Sequence, residues 1–154
     1  MLLMLLKNNL IAVAIHVGIC LVSLLFFSTI GILIFMFLSM LATVIFTILA
    51  FYLYLRVGKR FLSDTNNVLT NTLSVTALAT ILVVATSISG PEGIIVNYSF
   101  APLGGTLYIF DPVVKKEVSI LVMAILPSLA MWIGVTTKRL DDDNSSGIEN
   151  GSFD

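Results

Sequence analysis

The amino-acid sequence predicts an all-α integral membrane protein, a bundle of four transmembrane helices with an extracytoplasmic β-hairpin-like loop between helices three and four. The first observation is composition: 58% of the 154 residues are hydrophobic and 11% are charged, whereas soluble domains carry about 25% charged residues. The second is an almost unbroken apolar run over residues 10–55. As one helix it would extend about 69 Å. A bilayer's hydrocarbon core is about 30 Å thick, so the run must cross it twice.

The first two helices occupy this apolar run. Helix one is expected over about residues 10–28, after the polar segment 7–9, which suits the headgroup level of a membrane. A turn follows near Gly31, because glycine tolerates the backbone angles of a tight turn. Helix two is expected over about residues 32–55. It ends in aromatic side chains followed by Arg56, Lys59 and Arg60, a pattern that membrane interfaces select.

The second half of the chain predicts two further helices and a tail. Helix three is expected over about residues 68–89, where Gly-Pro stops it. Helix four is expected over about residues 117–137, with a kink at Pro127. Residues 1–140 then form the transmembrane domain. Residues 141–154 hold five acidic groups and no basic one, so we predict a disordered acidic cytoplasmic tail.

The segment between helices three and four predicts a β-hairpin. Side chains alternate over residues 94–100, which is typical of a strand, and residues 106–110 read as a second strand after a Pro-Gly-rich turn. A lone two-stranded hairpin is marginal in water, so its apolar face must rest on the helices, the lipid or another protein. Two interpretations stay open: a lid over the bundle, or a partner surface formed by Tyr98, Phe100, Tyr108 and Phe110.

Basic residues flank the predicted helices unevenly. If both chain ends share one side of the membrane, six basic residues lie on that side and only Lys115 and Lys116 lie on the other. Cytoplasmic loops carry the excess of Lys and Arg. We therefore predict a multi-pass protein of the plasma (cell) membrane with both termini cytoplasmic. The six residues are Lys7, Arg56, Lys59, Arg60, Lys138 and Arg139.

His16 is the one ionisable side chain deep within a predicted helix. It shares a face with Cys20 and Ser23 by i, i+4, i+7 spacing. Ionisable groups inside a membrane are costly and mark functional sites. A neutral imidazole that bonds to a Ser or Thr across a helix seam is one interpretation, and a proton relay or ligand contact is the other. A metal site would need more ligands, so none is predicted.

Hydroxyl side chains recur at helical spacing on two predicted helices. Small and hydroxylated residues, including the Ala14–Gly18 pair of helix one, let helices approach closely and bond across the seam. These rows therefore indicate either packing seams or, together with His16, the polar lining of a solute path. The rows are Ser39, Thr43 and Thr47 on helix two, and Thr72, Thr76 and Thr80 on helix three.

No motif for catalysis or cofactor binding occurs in the sequence. It contains no nucleophile beside a base, no phosphate-binding loop and no dinucleotide fingerprint, so we predict no enzyme, no catalytic residue and no cofactor. A nucleic-acid binder would need a basic patch on a soluble face, so we predict no nucleic-acid partner. The predicted function is a non-catalytic accessory or regulatory subunit that lies in the lipid bilayer and binds another membrane protein. The alternative is a self-associating homo-oligomer that forms a small-solute transporter or pore, including a holin-like one.

Overall fold

Four long helices make up most of the chain in the computed structural model, which describes residues 1–30, 36–64, 67–89, 101–103 and 116–149. All four helices are long and apolar enough to cross a membrane. The prediction of an all-helical fold with four candidate spans is therefore confirmed. The helices are α1 (Leu2–Ile30), α2 (Met36–Phe61), α3 (Val68–Ser89) and α4 (Lys116–Glu149).

The helix bounds match the sequence prediction for α3 and extend it elsewhere. Helix α1 begins at Leu2 rather than at about residue 10, and the backbone N–H groups of Met4 and Leu5 both donate to the Met1 carbonyl at 3.1 Å. The polar segment 7–9 does not end the helix, because its two asparagines bond to groups on neighbouring elements rather than only to their own backbone. Helix α2 continues to Phe61, where its basic last turn complements the helix dipole.

The prediction of a β-hairpin-like loop is not supported, since the residues that the structure describes contain no strand. Between α3 and α4 it describes a short 3₁₀ turn, Ala101–Leu103, which contacts α1 and α2. Pro102 and Leu103 are both buried. Pro102 fixes its own φ and has no N–H to give a strand, which favours a turn here. The predicted strands and the predicted partner residues Tyr98, Phe100, Tyr108 and Phe110 lie outside the described residues.

Helix α4 continues beyond the predicted membrane domain. It contains Pro127 and extends through residues 141–149, for which the sequence predicted disorder. Helix propagation is far easier than nucleation, so a long preformed helix can extend into polar sequence. Residues 150–154 lie outside the described part of the chain.

Helix α4 is also the centre of the bundle. More than half of its apolar span is buried, against a third or less of each other span. It packs on α2 and α3, while α1 packs mainly on α3. The α2–α4 crossing is close because both helices present glycine there: Gly58 lies against the backbone of Met131, and Gly134 lies against the backbone of Leu55 and Lys59.

At one end of the bundle lie Lys7 of α1, Arg56, Lys59 and Arg60 of α2, and positions 138 and 139 of α4, whereas Lys116 begins α4 at its other end. Asn8 on α1 hydrogen-bonds to Ser63 just after α2, and the Gly58–Gly134 crossing brings the last turn of α2 level with the part of α4 that directly precedes Lys138. The outer faces of all four helices expose large aliphatic side chains, as surfaces in contact with lipid do.

Candidate functional site

A buried histidine joins α1 to α2. His16 is 4% exposed, and its Nδ1 lies 2.7 Å from the hydroxyl oxygen of Tyr54, which is fully buried. The two rings stack at 25° with centroids 5.9 Å apart. On the other side of the imidazole, Nε2 lies 3.5 Å from the sulfur of Cys20, one turn along α1. The polar face that the sequence assigned to helix one therefore lies in the α1–α2 seam.

These contacts suit a neutral imidazole, in which one nitrogen donates and the other accepts. In one tautomer the Tyr54 hydroxyl donates to Nδ1 and Nε2–H donates toward the Cys20 sulfur. In the other, Nδ1–H donates to the Tyr54 oxygen and the thiol donates to Nε2. Both avoid a charge inside the membrane, where it would be costly. The partner across the seam is a tyrosine rather than the expected Ser or Thr, and a relay or ligand role for His16 stays a prediction.

Removing the hydroxyl from this pair should destabilise the bundle. We expect Tyr54→Phe to lower the free energy of unfolding by about 1–2 kcal/mol, because the imidazole loses this partner while the ring packing stays. His16→Ala should also destabilise the protein and leave its biological activity intact. The double variant should lose less than the sum of the two, as expected for groups in contact. Thermal unfolding in detergent of the unchanged protein, the two single variants and the double variant measures this coupling. Strictly additive losses of stability would contradict a direct bond between His16 and Tyr54.

The predicted hydroxyl rows do not meet in the interior. Thr47 is buried on α2 and Thr43 is half-buried, but the three threonines of α3 are exposed on its outer face. Each of those three donates to the carbonyl four residues earlier, at 2.7–3.0 Å. Ser39 belongs to α2, and its side chain is outside the described part. The structure therefore separates Thr72, Thr76 and Thr80 from His16.

Two grooves lie on the outside of the bundle. The first, about 320 Å³, runs between α3 and α4 and is lined in part by Thr72, Thr76, Ser128 and Trp132. Buried Ser128 Oγ and Trp132 Nε1 have no hydrogen-bond partner among the described residues, although buried polar groups are normally paired. An unpaired polar group is especially costly within a membrane. This face of α3 and α4 is therefore the more polar of the two grooved faces.

The second groove, about 400 Å³, runs between α1 and α2 and is apolar. Ala14 and Gly18 line it on α1, and Phe46, Leu49 and Leu53 line it on α2. Apart from the adjacent backbone of α1, no atom of the described residues lies within 4 Å of the position that a Cβ on Gly18 would take. The predicted small-residue pair thus leaves an open space on the surface and does not form a close seam within this chain.

Sequence reasoning missed the asparagines that fasten α1 to the rest of the bundle. The Asn9 side chain donates to the Leu73 carbonyl and accepts from the Ala77 N–H, each at 3.0 Å, so it bridges two groups that pair with each other in a regular helix. Asn8 makes a similar two-point contact with Ser63. Two adjacent amides beside a long apolar segment were the available signal, because amides bond strongly between membrane helices.

Four membrane-length apolar helices with aliphatic outer faces define the class of this chain, a multi-pass membrane protein. No family model, curated protein or solved structure matches it. Its candidate sites are therefore assigned from its own side chains: the His16–Tyr54 pair inside the bundle and the two grooves outside it.

Proposed function

We propose that this protein is a non-catalytic accessory or regulatory subunit that binds another membrane protein through the outer face of α3 and α4. The observation that carries the proposal is the outward position of the α3 hydroxyl row. Thr72, Thr76 and Thr80 are exposed, and among the described residues their hydroxyls bond only to carbonyls of their own helix, so the row has hydrogen-bonding capacity left for a neighbour. A neighbouring protein helix can supply polar partners for it.

The interior of the bundle supports binding rather than transport by a single copy. Its core is a packed cluster of aliphatic, aromatic and small side chains, among them Phe46, Ala50, Leu78 and Met131. His16 lies within this packing and bonds to Tyr54 and Cys20. Protein interiors of this kind are close-packed. Among the described residues, these contacts therefore do not favour a continuous polar path through a single bundle.

The groove beside the α3 row provides a seat for a partner helix. Its lining extends over about two helical turns on each wall, from Thr72 to Ala79 and from Ile125 to Trp132. An amphipathic or transmembrane helix that enters such a groove uses side chains at i, i+3, i+4 and i+7. A polar side chain on that helix would find the hydroxyls of Thr72, Thr76 and Ser128 beside it.

The proposal also includes a plasma-membrane location with both termini cytoplasmic, as the basic end of the bundle favours. The partner surface predicted from Tyr98, Phe100, Tyr108 and Phe110, which lie outside the described residues, stays part of the proposal.

A photoreactive residue in the groove tests the proposal. Placed at Thr76, it should cross-link to one discrete, different membrane protein in native membranes, while the same residue at Ile48, exposed on α2, should cross-link mainly to lipid. Thr76→Leu should reduce recovery of that partner without lowering thermal stability, since the site is exposed. Cross-links only to a second copy of the chain, from a purified oligomer that conducts solutes in liposomes, would contradict the subunit role and establish the transporter or pore alternative. The same hydroxyl row favours that alternative, because several copies could turn it toward a shared channel.

A further inference from the structure

A group of exposed cations lies on the same helix faces as the apolar groove between α1 and α2, nearer the basic end of the bundle. Along α2, Arg56 and Arg60 follow Leu49 and Leu53, two residues of the groove, at spacings of three, seven and eleven. Residues at such spacings share one face of a helix. Both arginines are exposed. The α2 wall of the groove therefore continues into positive charge at the basic end of the bundle.

The α1 wall continues in the same way. Lys7 precedes Ala14 by seven residues and Gly18 by eleven, so these three residues share one face of α1. Lys7 is exposed. At 1.5 Å per residue it lies about 10 Å along the helix from Ala14. The groove thus has cations at one end of both of its walls.

Each of the two arginines lies close to an aromatic ring of α2. The Arg56 guanidinium lies over the ring of Tyr52, 5.6 Å from its centroid, and the Arg60 guanidinium lies 6.0 Å from the centroid of Phe61. Tyr52 is one turn closer to the membrane centre than Arg56, so this contact directs the guanidinium along α2 toward the level of the groove. Such cation–π contacts restrict a flexible side chain. The remaining guanidinium N–H groups can bind a phosphate in a bidentate manner.

We propose that this composite surface binds one anionic phospholipid, with an acyl chain in the α1–α2 groove and the phosphate at Arg56, Arg60 and Lys7. Charge complementarity selects an anionic headgroup. The apolar groove of about 400 Å³ selects a molecule with a hydrocarbon chain over a free phosphate or a soluble phosphometabolite. The open space at Gly18 gives the acyl chain of the lipid room to lie against the α1 backbone.

This lipid site is separate from the proposed partner surface. It lies on α1 and α2, whereas the hydroxyl row and the polar groove lie on α3 and α4. Loss of one therefore leaves the other testable, and failure of the lipid proposal would not affect the subunit proposal.

Lipid binding to the full chain in detergent is the direct test. Native mass spectrometry should show one phosphatidylglycerol bound in preference to phosphatidylcholine with the same acyl chains. Because each juxtamembrane cation adds about five-fold to the affinity for anionic lipid, Arg56→Gln with Arg60→Gln should weaken phosphatidylglycerol binding about 30-fold. The control is Lys115→Gln with Lys116→Gln, which removes the same charge at the first residue of α4 and the residue before it in the sequence, and should change binding far less.

Gly18→Leu tests the groove without a change of charge. It should also weaken phosphatidylglycerol binding, while Val17→Leu, at an exposed neighbour that does not line the groove, should not. Thermal stability without lipid should be unchanged, because Gly18 faces open space. The proposal would be overturned if the two lipids bound equally or if the double arginine variant bound phosphatidylglycerol as well as the unchanged protein. It would also be overturned if sn-glycerol 3-phosphate, which has no acyl chain, bound as well as phosphatidylglycerol. A protein cross-linked from a photoreactive residue at Gly18 would also overturn it.

Discussion

Gly134→Ala should separate α2 from α4 and strongly destabilise the bundle, although it adds only one methyl group. A Cβ at this position would overlap the Leu55 carbonyl oxygen and would lie 2.8 Å from the backbone nitrogen of Lys59. Those atoms are backbone and cannot rotate away. The helices must therefore move apart along their extensive interface. We expect a loss at or above the top of the usual overpacking range, about 3 kcal/mol.

The matched control is Gly18→Ala, which adds the same methyl group at a position where no described atom beyond the adjacent α1 backbone lies within 4 Å. It should not destabilise the fold, since alanine is the better helix former. Cys20 is the one cysteine of the chain and is buried, so a thiol-reactive dye reports unfolding in detergent. Gly58→Ala should resemble Gly134→Ala, because its Cβ would overlap the Met131 carbonyl. Equal melting of Gly134→Ala and Gly18→Ala would show that the two helices do not cross closely here.

Segment length and hydropathy predicted the four helices because the bilayer thickness constrains both. Helix α3 was predicted within its observed bounds, since Gly90 and Pro91 follow it directly. Helix α1 is longer than the sequence predicts, because the polar residues 7–9 lie within the helix and do not precede it. Asn8 and Asn9 instead make their bonds to other elements, so they cost the helix little. Such bonds depend on tertiary neighbours that a single sequence does not reveal.

The crossing glycines were not predicted for a related reason. Sequence spacing predicts a close helix contact at Ala14 and Gly18, but these residues line an open groove. Gly58 and Gly134 make the close contact instead. A small residue permits close approach but does not decide which helix approaches. The α3 threonines are similar: each bonds to its own helix carbonyl, so the hydroxyl can face outward as readily as inward. Periodicity identified that row, and packing determined its direction.

Asn8→Leu should release α1 from the link between α2 and α3. Asn8 is fully buried, its Nδ2 donates to the Ser63 carbonyl at 2.9 Å, and its Oδ1 accepts from the Ser63 N–H at 3.1 Å. Leucine has a similar size but offers neither bond, so two backbone groups lose their partner together. Each such loss costs about 1–3 kcal/mol when the group stays buried. Ser63 is half-buried, so water can reach it in part, and we expect a total near the lower bound, about 2 kcal/mol.

Thr72→Val is the matched comparison for Asn8→Leu. It also removes a side-chain hydrogen bond, but this bond joins Thr72 to the Val68 carbonyl of the same helix at 2.8 Å, and the side chain is exposed. That carbonyl keeps its regular helical partner, so we expect a change within about 0.5 kcal/mol. Limited proteolysis at the α2–α3 link should accelerate in Asn8→Leu and remain unchanged in Thr72→Val. If the two variants unfolded and were cleaved alike, the asparagine contact would be no more than a surface interaction. A selective effect at the link would instead identify Asn8 as the residue that holds the first helix against the basic end of the bundle.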